Sequence, residues 1–207
     1  MSKNLVDKAF ATLQKLNSNA TTLEKNTLSN VTDWIDTGCL VLNSILSGSL
    51  YGGVPKGRIT IFAGESGCGK TFILNKILAH AQKKGMVPVI FDTEVAVESE
   101  GAENVGLDTA NVKYVPVDTV ENCRNQIMKF LDEVEKEPEL HGKFILSIDS
   151  LGNLASEKEI NDAGANKGAM DMGLRAKQLK SMMRMVTYKA AVTGTTVIAS
   201  NHTYADP

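Results

Sequence analysis

Short apolar runs separated by helical patterns dominate the chain from residue 58 onward. The runs predict five β-strands, at residues 58–64, 88–92, 111–117, 143–149 and 195–200. Apolar residues recur at helical spacing over residues 69–84, 120–137 and 168–191. Nearly continuous apolar strands that alternate with helices are typical of a parallel sheet with helices on both faces and right-handed crossovers. The pattern therefore predicts an α/β fold.

The first 30 residues follow a different pattern. Over residues 4–16, apolar side chains recur at helical spacing at Leu5, Val6, Ala9, Phe10, Leu13 and Leu16. Residues 17–30 are rich in Asn, Thr and Ser, which is typical of a linker. We therefore predict an N-terminal helix and linker at residues 1–30, followed by a core at residues 31–207. The helix either packs on its own core or docks on a neighbouring copy of the chain, and the pattern leaves both interpretations open.

Composition limits the class of protein. Apolar residues make up 43% of the chain and charged residues 22%, as in ordinary soluble globular proteins. The net charge is −2, from 22 basic and 24 acidic side chains, so a nucleic-acid contact would need a local basic patch. The 3 cysteines lack C-x-x-C spacing, which argues against a disulfide scaffold or cysteine zinc site and favours a cytoplasmic protein. No apolar run reaches the roughly 18–20 residues of a membrane span, and the N-terminus lacks the apolar core of a signal peptide.

One motif predicts a phosphate-binding loop. Gly64-Glu65-Ser66-Gly67-Cys68-Gly69-Lys70-Thr71 matches G-x-x-x-x-G-K-[ST] between a predicted strand and a predicted helix. Glycines let the backbone wrap phosphate oxygens with N–H donors, and the helix N-terminus adds partial positive charge. Lys70 can reach the β- and γ-phosphates, and the Thr71 hydroxyl can ligate Mg²⁺. The motif therefore predicts a bound nucleotide together with Mg²⁺.

Two further strands end on carboxylates. Asp149 closes the apolar run at residues 144–149, at the sheet edge where ligands of open α/β sheets gather. Downstream of a phosphate loop, such an acid is placed to hold the Mg²⁺ shell. Glu94 follows the strand that ends at Phe91-Asp92, and a carboxylate there could orient and deprotonate an attacking water. Asp92 and Glu94 would point the same way if the strand continued, and the role of Asp92 stays open.

Four blocks of sequence resemble a known family. They lie at residues 37–58 before the phosphate loop, at 91–94, at 148–156 and at 199–204. On these blocks, residues 30–207 resemble the RecA-like recombinases, in particular the UvsX-type recombinases of tailed bacteriophages. The resemblance implies a P-loop NTPase core with a mostly parallel sheet in the strand order 3-2-4-5-1 and helices on both faces.

The resemblance also implies roles for single residues at the nucleotide site. Lys70 and Thr71 would bind phosphate and Mg²⁺, and Asp149 would support the metal. Glu94 would be the general base. His202 matches the polar residue with which the family senses the γ-phosphate and signals to DNA.

On the DNA side, residues 156–169 are polar and match the family's first DNA-binding loop. The helix that follows is basic, with Arg175, Lys177, Lys180, Arg184 and Lys189. Lys177 and Arg184 match positions at which the family carries DNA-contacting basic residues. The alternative is a solvated helix face opposite an apolar stripe of Met172, Leu179 and Met183.

The function implied by the resemblance is that of an ATP-dependent DNA recombinase, a DNA-dependent ATPase in DNA recombination and repair. It would form a homo-oligomeric helical filament on single-stranded DNA and promote homologous pairing and strand exchange. It would act in the cytoplasm, or in the cytoplasm of the host cell if a phage encodes it. Family members continue beyond residue 207 with strands beside the phosphate-loop strand and with cations for a neighbouring site. We therefore expect a C-terminally truncated chain that has an exposed sheet edge and binds nucleotide with poor turnover. A RecA-like hexameric helicase and a truncated, non-hydrolysing regulator are the alternatives.

Overall fold

The computed structural model describes residues 3–164 and 172–203, and the chain divides into two units, residues 1–30 and 31–207. The smaller unit holds helix α1 (Lys3–Leu16) and a single 3-10 turn at Leu23–Lys25. After α1 the chain turns through local hydrogen bonds, in which the Gln14 side-chain amide donates to the carbonyl oxygen of Ala20 at 3.2 Å. Docking of α1 on a neighbouring copy stays a prediction.

The larger unit contains two sheets. Its strands are β1 (Trp34–Ile35), β2 (Val54–Pro55), β3 (Ile59–Gly64), β4 (Val87–Asp92), β5 (Lys113–Pro116), β6 (Phe144–Asp149) and β7 (Thr196–His202). Its helices are α2 (Leu40–Ser47), α3 (Lys70–Lys83), α4 (Ser99–Glu103), α5 (Val120–Lys136), α6 (Glu157–Gly164) and α7 (Met172–Thr193). Single 3-10 turns lie at Thr109–Asn111, Pro138–Leu140 and Leu151–Asn153.

The main sheet is parallel and has the order β3-β7-β6-β4-β5, whereas β1 and β2 form an antiparallel pair of their own. Counted along the chain from β3 as strands 1 to 5, the main sheet reads 3-2-4-5-1 from β5 to β3. This confirms the strand order that the family resemblance implied. Within the described residues β3 pairs only with β7, and Ile61 on β3 is 45% exposed. The phosphate-loop strand is therefore an edge of the sheet, as expected.

The observed elements lie close to the predicted ones. The five main strands begin and end within 2 residues of the predicted bounds, and α3 and α5 do so within 1 residue. For α7, the first predicted residues, 168–171, lie outside the described residues. Among the described helices, none combines the length and the apolar character needed to cross a membrane.

The prediction of a polar loop at residues 156–169 is wrong for its first half, which forms α6. The Ser156 N–H donates to Glu159 Oε2 at 2.7 Å, and the Glu159 N–H donates to the Ser156 hydroxyl at 3.2 Å. This reciprocal pair is a capping box, which satisfies N–H groups at the start of a helix. The acids at residues 157 and 159 also suit the positive end of the helix dipole. Residues 165–169 lie outside the described part of the chain.

Side chains of β6 alternate between two apolar cores, so both faces of the sheet are covered. Leu146 and Ile148 belong to the core against α5 and α7, and Ile145 belongs to the core against α3. The first core includes Ile127, Leu131, Met182, Val186 and Ala190. The second core includes Leu74, Ile77, Leu78, Ile90 and Ile198.

The buried stripe of α7 only partly matches the predicted one. Its fully buried members are Met182, Val186 and Ala190. Leu179 and Met183, which the sequence predicted, are partly buried against the same core. The Met172 side chain lies outside the described part of the structure. The observed spacing of four residues places the fully buried side chains on one face of the helix, toward α5.

A buried amide organises the segment that leads into β3. Asn43 of α2 is 1% exposed. Its Oδ1 accepts hydrogen bonds from the N–H (2.9 Å) and the hydroxyl (2.7 Å) of Thr37, and its Nδ2 donates to Asp36 Oδ1 (2.8 Å) and the Leu50 carbonyl (3.0 Å). Burial alone would raise the pKa of Asp36, but hydrogen bonds from Asn43 and the Gly38 N–H hold that pKa below its usual value. One side chain thus joins α2 to the chain before and after it.

Substitution of Asn43 by alanine should lower the free energy of unfolding by about 2–4 kcal/mol, because the buried groups that it pairs lose their partner. Urea unfolding followed by the fluorescence of the single tryptophan, Trp34, measures the change. Asn125→Ala, on the exposed face of α5, is the control and should change the same free energy by about 0.5 kcal/mol or less. Equal stabilities of the two variants would contradict the role given to Asn43.

Candidate functional site

The predicted phosphate loop connects β3 to α3 at the carboxyl edge of the sheet. Gly67 and Gly69 have φ values of 76° and 87°, in the left-handed region that favours glycine. Lys70 is only 8% exposed, and its Nζ donates to the carbonyl oxygens of Gly64 (3.0 Å) and Glu65 (2.6 Å). The ammonium therefore lies inside the loop, beside the first turn of α3. A positive charge and a helix N-terminus at one point form a suitable site for phosphate.

Asp149, at the end of β6, faces the start of α3. The Thr71 hydroxyl donates to Asp149 Oδ2 at 2.6 Å, and the Ser200 hydroxyl donates to Asp149 Oδ1. Mg²⁺ prefers oxygen ligands and usually takes one or two from the protein, with the rest from phosphates and water. Thr71 and Asp149 fit that demand. Among the described residues no group of three or more His, Cys, Asp or Glu could hold a metal.

Glu94 follows β4 and lies next to both β6 and β7. The Ser150 hydroxyl donates to Glu94 Oε1 at 3.0 Å, and His202 Nε2 lies 3.3 Å from the same oxygen. The Glu94 side chain is 37% exposed and that of His202 is 16% exposed. Strand β4 ends at Asp92, so the condition under which Asp92 and Glu94 would point the same way is not met. Asp92 is buried instead, and Glu94 is the carboxylate open to solvent.

His202 lies between the phosphate-loop strand and the turn after β6. It pairs in register with Gly64, and the next N–H, that of Thr203, donates to the Gly64 carbonyl at 3.2 Å. On its other side is Gly152, at which an added Cβ would come within 2.8 Å of His202 Cδ2. The sequence alone gives Gly152 no role, because a residue without a side chain is needed there only once the turn after β6 packs against His202 of β7.

Thr93 joins the ends of β4 and β6, and sequence reasoning missed it. Its N–H donates to the Asp149 carbonyl at 2.9 Å. Its hydroxyl accepts from the Ser150 N–H at 2.8 Å and lies 3.0 Å from the Ser150 carbonyl oxygen. The peptide bond between Asp149 and Ser150 is cis. These contacts hold the residue before Glu94 against the residue after Asp149, so the two carboxylates share one framework.

Arg175 is a second residue whose place the sequence did not reveal. Its Nε donates to the Leu154 carbonyl at 2.6 Å, and its Nη2 donates to the carbonyls of Leu151, at 3.3 Å, and Gly152. The side chain is half-buried. The sequence grouped Arg175 with the basic residues of a DNA-facing helix, but the structure uses it to tie α7 to the turn after Asp149.

The basic residues of α7 fall into two groups. Lys177, Lys180 and Arg184 are exposed, and their spacing of three and four residues places them on one helix face. Lys189 is paired instead with Asp132, at 2.6 Å, and with Glu135, and these two hydrogen bonds raise its pKa. The predicted DNA contacts, Lys177 and Arg184, therefore lie on an exposed basic face about 10 Å long.

The family model for the RecA N-terminal domain matches residues 4–205. The chain belongs to the RecA family. Among curated relatives, the "Recombination and repair protein" of Enterobacteria phage T4 is 35% identical over 177 residues, which are 84% of this chain and 44% of that protein. RecA of Nitratiruptor sp. is 35% identical over 167 residues, or 81% of this chain and 45% of that RecA. RecA of Bifidobacterium breve is 31% identical over 201 residues, which are 96% of this chain and 48% of that RecA.

These matches confirm the family resemblance inferred from the four sequence blocks. This RecA-family chain spans less than half the length of the curated relatives named here. The structure brings five predicted site residues to one edge of its sheet, namely Lys70, Thr71, Glu94, Asp149 and His202. Lys177 and Arg184 lie on α7, outside that cluster.

Substitution of Arg175 by methionine should lower the free energy of unfolding by about 2–4 kcal/mol, because hydrogen bonds from a charged donor to partly buried carbonyls are lost. Urea denaturation of both variants measures the effect. Lys177→Met, two residues along the same helix, is the matched control and should stay within about 0.5 kcal/mol of the parent. A stable Arg175→Met protein would show that the three carbonyls are satisfied without the guanidinium.

Proposed function

We propose that this chain is the nucleotide-binding core of an ATP-dependent DNA recombinase. It binds ATP, assembles as a homo-oligomeric filament on single-stranded DNA in the cytoplasm, and promotes homologous pairing and strand exchange in recombination and repair. The supporting observation is that Lys70, Thr71, Asp149, Glu94 and His202 meet at one sheet edge in a chain of the RecA family. Phosphoryl transfer needs these parts within reach of one another.

Nucleotide binding rests on the loop before α3. The backbone N–H groups at the start of that helix and the Lys70 ammonium favour the charge of the β- and γ-phosphates. Thr71 and Asp149 are the residues that would hold Mg²⁺, which neutralises phosphate charge when it is bound. The Thr71 hydroxyl and the Asp149 carboxylate already lie in contact at 2.6 Å, so two oxygen donors converge on one position.

Hydrolysis is assigned to Glu94. Its carboxylate is open to solvent and accepts a hydrogen bond from Ser150 on one oxygen, so it can orient a water and accept its proton. His202 touches the same oxygen and ends the strand next to the phosphate-loop strand. This position lets His202 respond to the γ-phosphate and to the state of Glu94 together. In this proposal ATP binding, more than turnover, orders the DNA-binding segments.

DNA binding is assigned to the basic face of α7. Three exposed cations along two helical turns can follow the phosphates of a single strand. The net charge of the whole chain is −2, so this local face and not the average charge provides the attraction.

Lys70→Ala and Glu94→Gln should separate binding from hydrolysis. Lys70→Ala should weaken ATP affinity about 10–100-fold, since a charge-assisted contact to phosphate is lost. Glu94→Gln should keep the parent affinity and slow hydrolysis at least about 100-fold, since the amide cannot accept the proton of water. Equilibrium binding of a fluorescent ATP analogue and single-turnover hydrolysis with protein in excess give the two values.

The control for both variants is Lys83→Ala, at the exposed far end of α3. It should match the parent in both assays. Undiminished ATP affinity in Lys70→Ala would refute the phosphate-loop assignment. A normal rate in Glu94→Gln would remove Glu94 from the role of general base.

Lys177→Ala and Arg184→Ala should each weaken binding of single-stranded DNA and make it less sensitive to salt. Each lost phosphate contact should reduce the slope of log K against log salt by about 0.7–1. The measurement is the anisotropy of a labelled oligonucleotide at two or more salt concentrations, with and without a non-hydrolysable ATP analogue. Lys129→Ala, an exposed lysine of α5, is the control and should leave the slope unchanged. Parental slopes in both α7 variants would place the DNA elsewhere.

A further inference from the structure

Asp92 is a buried carboxylate with no role in the assignments above. It ends β4 and is 1% exposed. Five hydrogen-bond donors surround its carboxylate. Oδ1 accepts from the N–H groups of Glu94 and Val95, both at 2.9 Å. Oδ2 accepts from the N–H groups of Ala96 (3.0 Å) and Val97 (3.1 Å) and from the Tyr114 hydroxyl (3.0 Å). Both oxygens are therefore occupied by the protein itself. Burial is the largest cause of the raised pKa of Tyr114, and the hydrogen bond to Asp92 and the negative charge of Asp92 raise that pKa further.

The four N–H groups belong to four successive residues, 94–97, so one side chain fixes the backbone that carries Glu94. Val95, in the middle of this segment, has φ of 53°. A β-branched residue rarely adopts that conformation, and surrounding contacts must hold it. The carboxylate supplies such contacts, because an anion binds convergent N–H groups strongly.

Glu94 is thus held at two points. Its N–H is bound by Asp92 and its carboxylate by Ser150. Ser150 directly follows Asp149, which pairs in register with Asp92 on the neighbouring strand. The backbone of Glu94 is therefore held by the residue that ends β4, and its carboxylate is held by the residue that follows β6.

We propose that Asp92 is the positioning residue for Glu94: its carboxylate binds the N–H groups of residues 94–97 and so fixes the general base above the nucleotide site. The inference rests on the proposed function, since it gives Asp92 a role only in the hydrolysis assigned to Glu94. Asp92 acts through Glu94, because protein donors already bind both of its own carboxylate oxygens.

Asp92→Asn tests this with a near-isosteric change. An amide accepts on one side only, and its NH₂ group faces two N–H donors whichever way it is turned. Half of the backbone contacts are lost, and Glu94 is no longer fixed. Because small misplacements of a reacting group cost about 100-fold in rate, hydrolysis should fall about 10–100-fold while ATP affinity stays within about 2-fold of the parent.

A double-mutant cycle distinguishes positioning from a merely structural role. The four proteins are the parent, Asp92→Asn, Glu94→Gln and the double variant, each assayed for ATP-analogue binding and single-turnover hydrolysis. If Asp92 acts through Glu94, its substitution should change the residual rate of Glu94→Gln by less than about 2-fold. Asp118→Asn, the same change at an exposed carboxylate near the same sheet edge, is the control and should keep the parent rate.

The variant Tyr114→Phe keeps the test decisive if Asp92→Asn is poorly folded, and hydrogen exchange shows whether a folded Asp92→Asn has lost only the contacts at residues 94–97. Tyr114→Phe removes only the hydroxyl donor, and the rate should fall about 2–5-fold with unchanged ATP affinity. Amide hydrogen exchange in Asp92→Asn should speed up at residues 94–97 and stay parental in β6 and β7.

The outcomes separate this inference from the proposed function. Additive effects in the cycle, or an ATP affinity reduced as far as in Lys70→Ala, would overturn the positioning role. A parent that binds ATP without hydrolysing it would also overturn that role, since Glu94 would then have no reaction to serve. A parent that binds no ATP would overturn the proposed function itself.

Discussion

The parallel pairing of β6 with β4 on one side and with β7 on the other is the constraint on which the site depends. It brings Asp149 into register with Asp92 and holds β7 in the sheet, and β7 in turn pairs with β3, at the end of which the phosphate loop begins. Parallel strands present their carboxyl ends at one edge, so residues separated by up to 138 positions in sequence, from Gly64 to His202, become neighbours. A change in the order of these strands would separate the candidate base from the phosphate loop.

Much of this arrangement could be predicted from sequence, for identifiable reasons. The phosphate loop and Asp149 depend on local patterns, a glycine-rich turn and an apolar strand that ends in an acid, which a single chain displays directly. The strand order came from the family resemblance, not from periodicity. The polar composition of residues 156–164 predicts a loop, whereas Ser156 and Glu159 form a capping box that starts α6.

Other features could not be predicted, because they depend on contacts between distant segments. Helical spacing groups Arg175 with Lys177, but only the turn after β6 supplies the carbonyls that draw one of them inward. That turn has a second neighbour, since His202 lies against Gly152. The short segment at residues 151–154 therefore contacts α7 through charged hydrogen bonds from Arg175, and it contacts the candidate site through the ring of His202. Both contacts join segments that are distant in sequence, so they form only when the chain has folded.

Two carboxylates in register on adjacent strands, Asp92 and Asp149, lie in environments that suit the same chemical group to different roles. Each carboxylate is compensated by hydrogen-bond donors of its own, which favours a negative charge at the end of each paired strand. Asp92 is compensated by four backbone N–H groups and the Tyr114 hydroxyl, and the four N–H groups are fixed in the chain that follows β4. Asp149 is compensated by the hydroxyls of Thr71 and Ser200, which can rotate and turn their own oxygens toward a cation. The first environment suits a residue that fixes a backbone, and the second suits one that exchanges a hydrogen bond for a metal.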